Sequence, residues 1–249
     1  MRILILSDIH ANWYALEAVL EKESHDALIF LGDVVDFGPN PSDCVRFLMD
    51  SSRGRFWGVR GDHDHALAYG MGCRCSKELR KLAVVTREWG EGFIKSEEIG
   101  FLRRLPLNDY FTLDGLTFHL AHGSYTDSIY SDVDNDALEG GAEINNGFAG
   151  INTDYVLVGH SHRPYIKRLG RTTVLNPGSV GQPMDFNPRV SYAVIEDGEA
   201  TIKRVRYDIE RTVKDLEKSS LPRDVVGELV SILVIGGVVK DSCQAWEQA

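Results

Sequence analysis

Arg2-Ile3-Leu4-Ile5-Leu6-Ser7-Asp8-Ile9-His10 runs four consecutive apolar residues almost directly into a carboxylate and an imidazole two positions apart. A short apolar run bounded by turn formers reads as a buried strand. In an α/β chain, the loop after such a strand displays chemistry, because the strand fixes its position and leaves its groups free. The same pattern recurs. Ala27–Leu31 precedes Gly32-Asp33 and Asp36, and Phe56–Val59 precedes Gly61-Asp62-His63-Asp64. Leu116–Leu120 precedes His122-Gly123, and Tyr155–Val158 precedes Gly159-His160-Ser161-His162. Between the first runs lie helical patterns: Asn12 is an N-cap ahead of Leu16, Val19 and Leu20, and Pro41–Met49 and Lys77–Trp89 also read as helices. The early chain is therefore βαβαβ with parallel pairing. The later chain, with further strands at Thr172–Leu175 and Tyr192–Ile195, turns to hairpins, such as Val190–Glu196 with Ala200–Tyr207 across Asp197-Gly198. From Asp208 the pattern is helical again, broken at Leu221-Pro222, and predicts a helical hairpin outside the sheets.

The 249 residues carry 27 Lys and Arg against 37 Asp and Glu, a formal charge of −10. That balance argues against a broad nucleic-acid-binding surface. Cys44, Cys73, Cys75 and Cys243 do not form a disulfide framework and suit a reducing compartment. The apolar start lacks the basic region, span and cleavage site of a secretory leader, and no run reaches the roughly 18 apolar residues of a membrane span. The expectation is a cytoplasmic protein with no membrane segment. Nothing in the sequence specifies an oligomeric state.

Taken singly, an Asp or His after a strand is usually a turn former or a satisfied polar residue. Five strand ends with such residues change the weighting. Carboxylates gathered at one sheet edge repel one another unless cations lie among them. The ligand types are oxygen and imidazole nitrogen without thiolate, which suits Mn, Fe, Zn, Co or Ni. There are enough of them for two metal ions sharing one carboxylate.

In order, the chain carries Asp-x-His at 8–10, Gly-Asp-x-x-Asp at 32–36, Gly-Asp-His-Asp at 61–64, His-Gly at 122–123 and Gly-His-x-His at 159–162, with Asn-Pro-Gly-Ser-Val-Gly-Gln-Pro at 176–183. On these motifs the sequence resembles the calcineurin-like metallophosphoesterases, in their compact bacterial and archaeal phosphodiesterase branch, over residues 1 to about 235. The resemblance implies a four-layer α-β-β-α sandwich of two mixed sheets. Residues 1–207 would be the catalytic domain and 208–249 a C-terminal helical hairpin packed on it. By the same resemblance, Asp8, His10 and His162 hold one metal, Asp33 bridges, and Asp62, His122 and His160 hold the other. The ions would be two divalent, or mixed-valence, transition metals. His63 would be the general acid, oriented by Asp36. Two metals polarise a phosphoryl oxygen and supply hydroxide near neutral pH, so no covalent nucleophile is needed. What remains is to protonate the leaving oxygen, which suits an imidazole kept charged by a carboxylate.

The implied substrate is a small or nucleotide-like phosphoester. One rival reading is a binding scaffold, since the retromer complex contains a protein of this fold; it predicts eroded ligands. Another is a nuclease, which predicts a basic cleft. The family writes Gly-Asn-His-Asp where this chain has Asp62. An ionised Asp62 brings two divalent ions, two other carboxylates and a hydroxide to about zero net charge. Either activity falls, Asp62 is protonated, or one metal is trivalent iron. Met184 stands where the branch often has Arg, and Ala11 where it has Gly. Cys73 and Cys75 read as ordinary loop residues near the site, and the acidic stretch Asp127–Glu143 as a solvated loop or lid.

Overall fold

The computed structural model describes residues 1–124, 127–131 and 152–239. Ten strands are described: β1 (Arg2–Leu6), β2 (Ala27–Phe30), β3 (Phe56–Gly58), β4 (Asn108–Leu113), β5 (Leu116–Ala121), β6 (Tyr155–Leu157), β7 (Tyr165–Leu169), β8 (Thr172–Asn176), β9 (Val190–Glu196) and β10 (Glu199–Val205). The described helices are α1 (Trp13–Lys22), α2 (Pro41–Ser51), α3 (Asp62–Tyr69), α4 (Lys77–Gly90), α5 (Ser96–Arg104), α6 (Ile209–Lys218) and α7 (Arg223–Ile235).

Alternation along β1 gives each of its faces a partner. Leu4 and Leu6 pack with Leu16 and Val19 of α1, Val45 and Leu48 of α2, and Leu102 of α5. Ile3 and Ile5 turn the other way, to Phe118, Leu120, Leu157 and Leu175 of the second sheet. A strand buried on both faces must be apolar throughout, which is why Ile3–Leu6 shows no polar alternation. The first sheet runs β10-β9-β1-β2-β3 and the second β4-β5-β6-β8-β7. β1, β2 and β3 are parallel while β9 joins β1 antiparallel, and β5, β6 and β8 are parallel between antiparallel edges. Two mixed sheets face to face with helices outside make an α/β sandwich. No described helix is long and apolar enough to cross a membrane.

The Asp197-Gly198 turn has positive φ at both positions, 52° and 82°, as a two-residue hairpin requires. Its second strand spans Glu199–Val205 rather than reaching Tyr207; the Tyr207 hydroxyl instead accepts from Asn12 Nδ2 at 3.0 Å. Asn12 caps α1 by accepting from Ala15 N at 3.3 Å and takes a second bond from Thr212 Oγ1 at 2.9 Å, tying α6 to the first loop. Leu216, Val225, Leu229 and Ile232 of α6 and α7 pack with Leu82 and Ala83 of α4. Of the acidic stretch, residues 132–143 lie outside the described residues.

Glu23, after α1, is buried among Arg2, Lys203 and Tyr192, accepting from Tyr192 Oη at 2.8 Å and Lys203 Nζ at 3.0 Å and pairing with Arg2. Burial raises its carboxyl, but these three donors hold it below the usual carboxylate range. A depressed folded-state value contributes stability above the unfolded value, which is lost as pH falls through the folded one. Glu23→Gln should therefore cost about 2 kcal/mol at pH 7, and the difference from the parent should shrink below about pH 4. Urea unfolding at the two pH values measures both.

Candidate metal centre

The five strand-end loops meet at one edge of the sandwich. They approach closely because small residues stand at the crossings: a Cβ on Gly61 would lie 2.0 Å from Asp33 Oδ1. Asp8, His10, Asp33, Asp36, His160 and His162 all adopt positive φ, between 45° and 67°. Non-glycine residues pay for that conformation, and such strain persists where the surroundings over-determine it, characteristically at functional sites. Ala11 shares it, with φ 50°, so the alanine carries a backbone strain that a glycine would not.

Two groups of ligand atoms result, each within 4.8 Å: Asp8, His10 and His162, and Asp33, Asp62, His122 and His160. Asp33, which the resemblance makes a bridge, falls with the second group. Asp33 Oδ2 lies 3.1 Å from His122 Nε2 and 3.9 Å from His10 Nε2, which puts one carboxylate between the groups. Asp62 Oδ1 lies 3.3 Å from His160 Nδ1 and 3.5 Å from His122 Nε2, and Asp8 Oδ1 lies 3.4 Å from His162 Nε2.

Tautomers are set by backbone carbonyls, which only accept. His10 Nδ1 donates to Val35 O at 2.9 Å, His122 Nδ1 to Leu31 O at 2.7 Å and His162 Nδ1 to Gln182 O at 2.6 Å. Each ring thereby turns Nε2 inward as a possible ligand, the arrangement by which outer partners orient metal-bound histidines. His10 and His162 then bring two Nε2 atoms 3.1 Å apart. Asp8 Oδ1 and Oδ2, Asp33 Oδ2, Asp62 Oδ1 and His122 Nε2 are buried and make no hydrogen bond outside the ion-pair contacts among the site's own carboxylates and imidazoles. Leaving such groups unsatisfied costs about 1–3 kcal/mol each, more when charged. Cations among them remove that cost, so the residues present fit two metal ions.

Electrostatics support an ionised Asp62. Burial raises its carboxyl, yet His63, His122 and His160 hold it well below the usual range, which disfavours the protonated alternative. Burial and His162 push His10 well below the usual imidazole range, the neutral form a ligand needs. Burial also opposes charge on His122, but Asp33, Asp62 and Asp8 hold it well above the usual range, so metal binding there would displace a proton.

His63 lines a cavity of about 320 Å³ together with Asp33, His160 and His162. Its Nδ1 donates to Asp36 Oδ2 at 2.7 Å, and the Arg87 guanidinium pairs with the same carboxylate oxygen. Burial favours neutral imidazole, but Asp62, Asp33 and Asp36 hold His63 well above the usual range.

Some supporting residues gave no sequence signal of their role. Arg87 sits within the helical run Lys77–Trp89 and has no motif. Asp64 belongs to the 61–64 motif, but its work emerges only in space: its carboxylate accepts from Asp33 N and Val34 N at 2.8 Å each and from Gly61 N at 3.2 Å, joining two loops. The 176–183 segment knits others together. Ser179 Oγ donates to Asp8 O at 2.7 Å and Asn176 Nδ2 to Gly159 O at 2.6 Å. Cys73 and Cys75 bring their sulfurs 3.2 Å apart beside His63, and the Arg74 N–H between them donates to Asp62 Oδ2 at 3.0 Å. The loop that carries Cys73–Cys75 thus touches the centre directly.

A family model described as the calcineurin-like phosphoesterase superfamily domain matches residues 1–199. An uncharacterized protein of Methanocaldococcus jannaschii is 29% identical over 245 residues, covering 88% of this chain and 93% of that protein. The crystal structure of a metallophosphoesterase from Sphaerobacter thermophilus superposes with a TM-score of 0.77 at 31% identity, covering 95% of this chain and 99% of that one. A hypothetical protein from Pyrococcus horikoshii shares the fold at 20% identity, with a TM-score of 0.79 over 96% of this chain and 99% of that one.

Proposed function

The chain belongs to the calcineurin-like phosphoesterase superfamily, and from that premise we propose that it is a dinuclear metal-dependent phosphodiesterase acting on small phosphoesters. The observation that carries this reading is Asp33, whose Oδ2 stands between two groups of buried, inward-turned ligand atoms beside an open cavity. Asp8, His10 and His162 would hold one ion, Asp62, His122 and His160 the other, with Asp33 common to both. When bound, the ions supply Lewis-acid polarisation of the phosphoryl oxygen and a nucleophile at neutral pH.

The protein supplies the proton. His63 has Nδ1 committed to Asp36, so Nε2 is the donor to the departing oxygen. Asp36, fixed by Arg87, keeps the imidazole charged and its plane set. Such a positioned acid contributes on the order of 10²–10⁴-fold. The carbonyls of Val35, Leu31 and Gln182 hold three imidazoles in the tautomer that binds metal.

Turnover of bis-p-nitrophenyl phosphate with added manganese tests the reading, and no turnover with any of Mn, Fe, Zn, Co or Ni would favour the scaffold. Asp62→Asn returns one positive charge to the centre and should lower KM for an anionic diester several-fold. Unchanged kinetics in that variant would contradict the electrostatic role assigned to Asp62.

A further inference from the structure

Besides the site itself and the polar Cys75, Ser76, Ser161 and Tyr165, the cavity that His63 lines carries two kinds of residue. Phe37, Leu79, Met184, Phe186 and Val238 are apolar, whereas Arg74 and Arg163 are cationic. About 320 Å³ is the low end of small-ligand sites, room for one nucleoside-sized group. Phe186 is the anomaly in this lining. It is 63% exposed, whereas Phe37 is 4% exposed and packs edge-on against the His10 ring at 4.9 Å. The Phe186 ring rests against Gly237, where an added Cβ would lie 3.1 Å from Phe186 Cε1, and leaves most of its surface open.

The backbone at Phe186 is also strained, with φ 59°, a conformation that bulky residues avoid. Two elements, the end of α7 and strand β10, hold it in place. Phe186 N–H donates to Gly236 O at 2.8 Å, at the end of α7. Arg204 of β10 pairs with Asp185 and donates to the carbonyls of Arg189 at 3.0 Å and Asn187 at 3.4 Å. Gly236 itself, at φ 74°, approaches so closely that a Cβ there would meet the Asn187 carbonyl carbon at 2.6 Å. A locked loop therefore presents an exposed aromatic ring to the cavity beside the catalytic groups. Arg163 is oriented nearby, its Nε donating to Met184 O at 3.2 Å. With Asp62 lowering the charge of the centre, an added guanidinium gives a phosphate a second attraction.

We propose that Phe186 is a stacking platform for a planar heterocycle, and that the substrates are nucleotide-type diesters whose nucleoside arm occupies this cavity, with Arg163 toward their anionic part. This rests on the phosphodiesterase reading and names its substrate class. Aromatic rings recognise nucleobases through their faces, without hydrogen-bond readout. The C-terminal helices then serve the site, because the end of α7 positions the ring.

The test compares thymidine 5′-(p-nitrophenyl phosphate) with methyl p-nitrophenyl phosphate, which release the same leaving group and differ in the retained arm. The parent should favour the thymidine ester at least tenfold in kcat/KM. Phe186→Ala should lower that ratio about tenfold, Phe186→Trp should keep it, and Gly236→Ala, which displaces the loop, should lower it. Calorimetric binding of thymidine monophosphate supplies a readout independent of turnover, and Phe186→Ala should weaken it about tenfold. A parent ratio near one, or the same ratio and the same binding in Phe186→Ala, overturns the platform while leaving the phosphodiesterase reading intact. If neither ester is turned over, the phosphodiesterase reading fails, and the binding measurement alone decides whether Phe186 holds a base.

Discussion

Asp33→Ala should be the most damaging single substitution in the chain, lowering kcat/KM for bis-p-nitrophenyl phosphate on the order of 10³-fold or more. Two-metal charge stabilisation supplies several kcal/mol, each 1.4 kcal/mol is a factor of ten, and Asp33 is the carboxylate that stands between the two ligand groups and would bridge them in the proposed centre. Losing any one outer ligand leaves its group two or more donors, whereas losing Asp33 weakens both. Asp33 Oδ1 also accepts from His63 N at 3.0 Å, so the alanine would loosen the start of α3 as well. Asp33→Asn separates the two effects: it keeps an oxygen for His63 N and removes the bridging charge. Activity should stay within tenfold of the alanine variant if the charge is what counts. Recovery of near-parental activity in Asp33→Asn would show that the contact with α3, rather than the bridge, is the residue's role.

His63→Gln should lower kcat by roughly 10²–10⁴-fold when the leaving group is an alkoxide, with little change when it is p-nitrophenolate. The split follows from the chemistry. A poor leaving group must be protonated as it departs, and a stabilised phenolate need not be. The substitution removes the proton donor and no metal ligand, so metal content should match the parent. Steady-state kinetics on a dinucleotide and on bis-p-nitrophenyl phosphate provide the comparison. Equal losses on both substrates would place His63 in substrate binding instead. Asp36 and Arg87 act through His63 as positioning residues, and Asp36→Asn should reproduce the same split in weaker form.

How much was legible in the sequence depended on whether a residue's role is local or assembled. β1, β2, β3, β5, β6, β8 and β9 could be read from apolar runs, and all but β3 are central strands with both faces covered. β4 and β7 could not, because edge strands alternate: residues 108–113 are exposed or half-buried at every position but Leu113, and Ile166 in β7 is exposed. α5 was also missed. Its signals are end charges, Glu97 and Glu98 in the first turn and Arg103 and Arg104 in the last, which complement the helix dipole, with an apolar face as short as Phe101 and Leu102. At the site, Asp-x-His and its companions were visible because strand ends must carry their ligands at fixed spacing. Arg87, Asp64 and Phe186 were not. Each matters through a partner distant in sequence or through a backbone angle, neither of which composition or spacing records. The alanine at position 11 shows in the sequence only as a departure from glycine, and the strain it carries emerges only in its left-handed φ.

The central claim is that the strand ends hold two metal ions on one shared carboxylate, and metal analysis of the protein purified without chelator tests it most directly. The expected result is two transition-metal ions per chain in the parent, with Asp33→Ala losing both. One ion per chain, no metal at all, or a full pair retained in Asp33→Ala would contradict it.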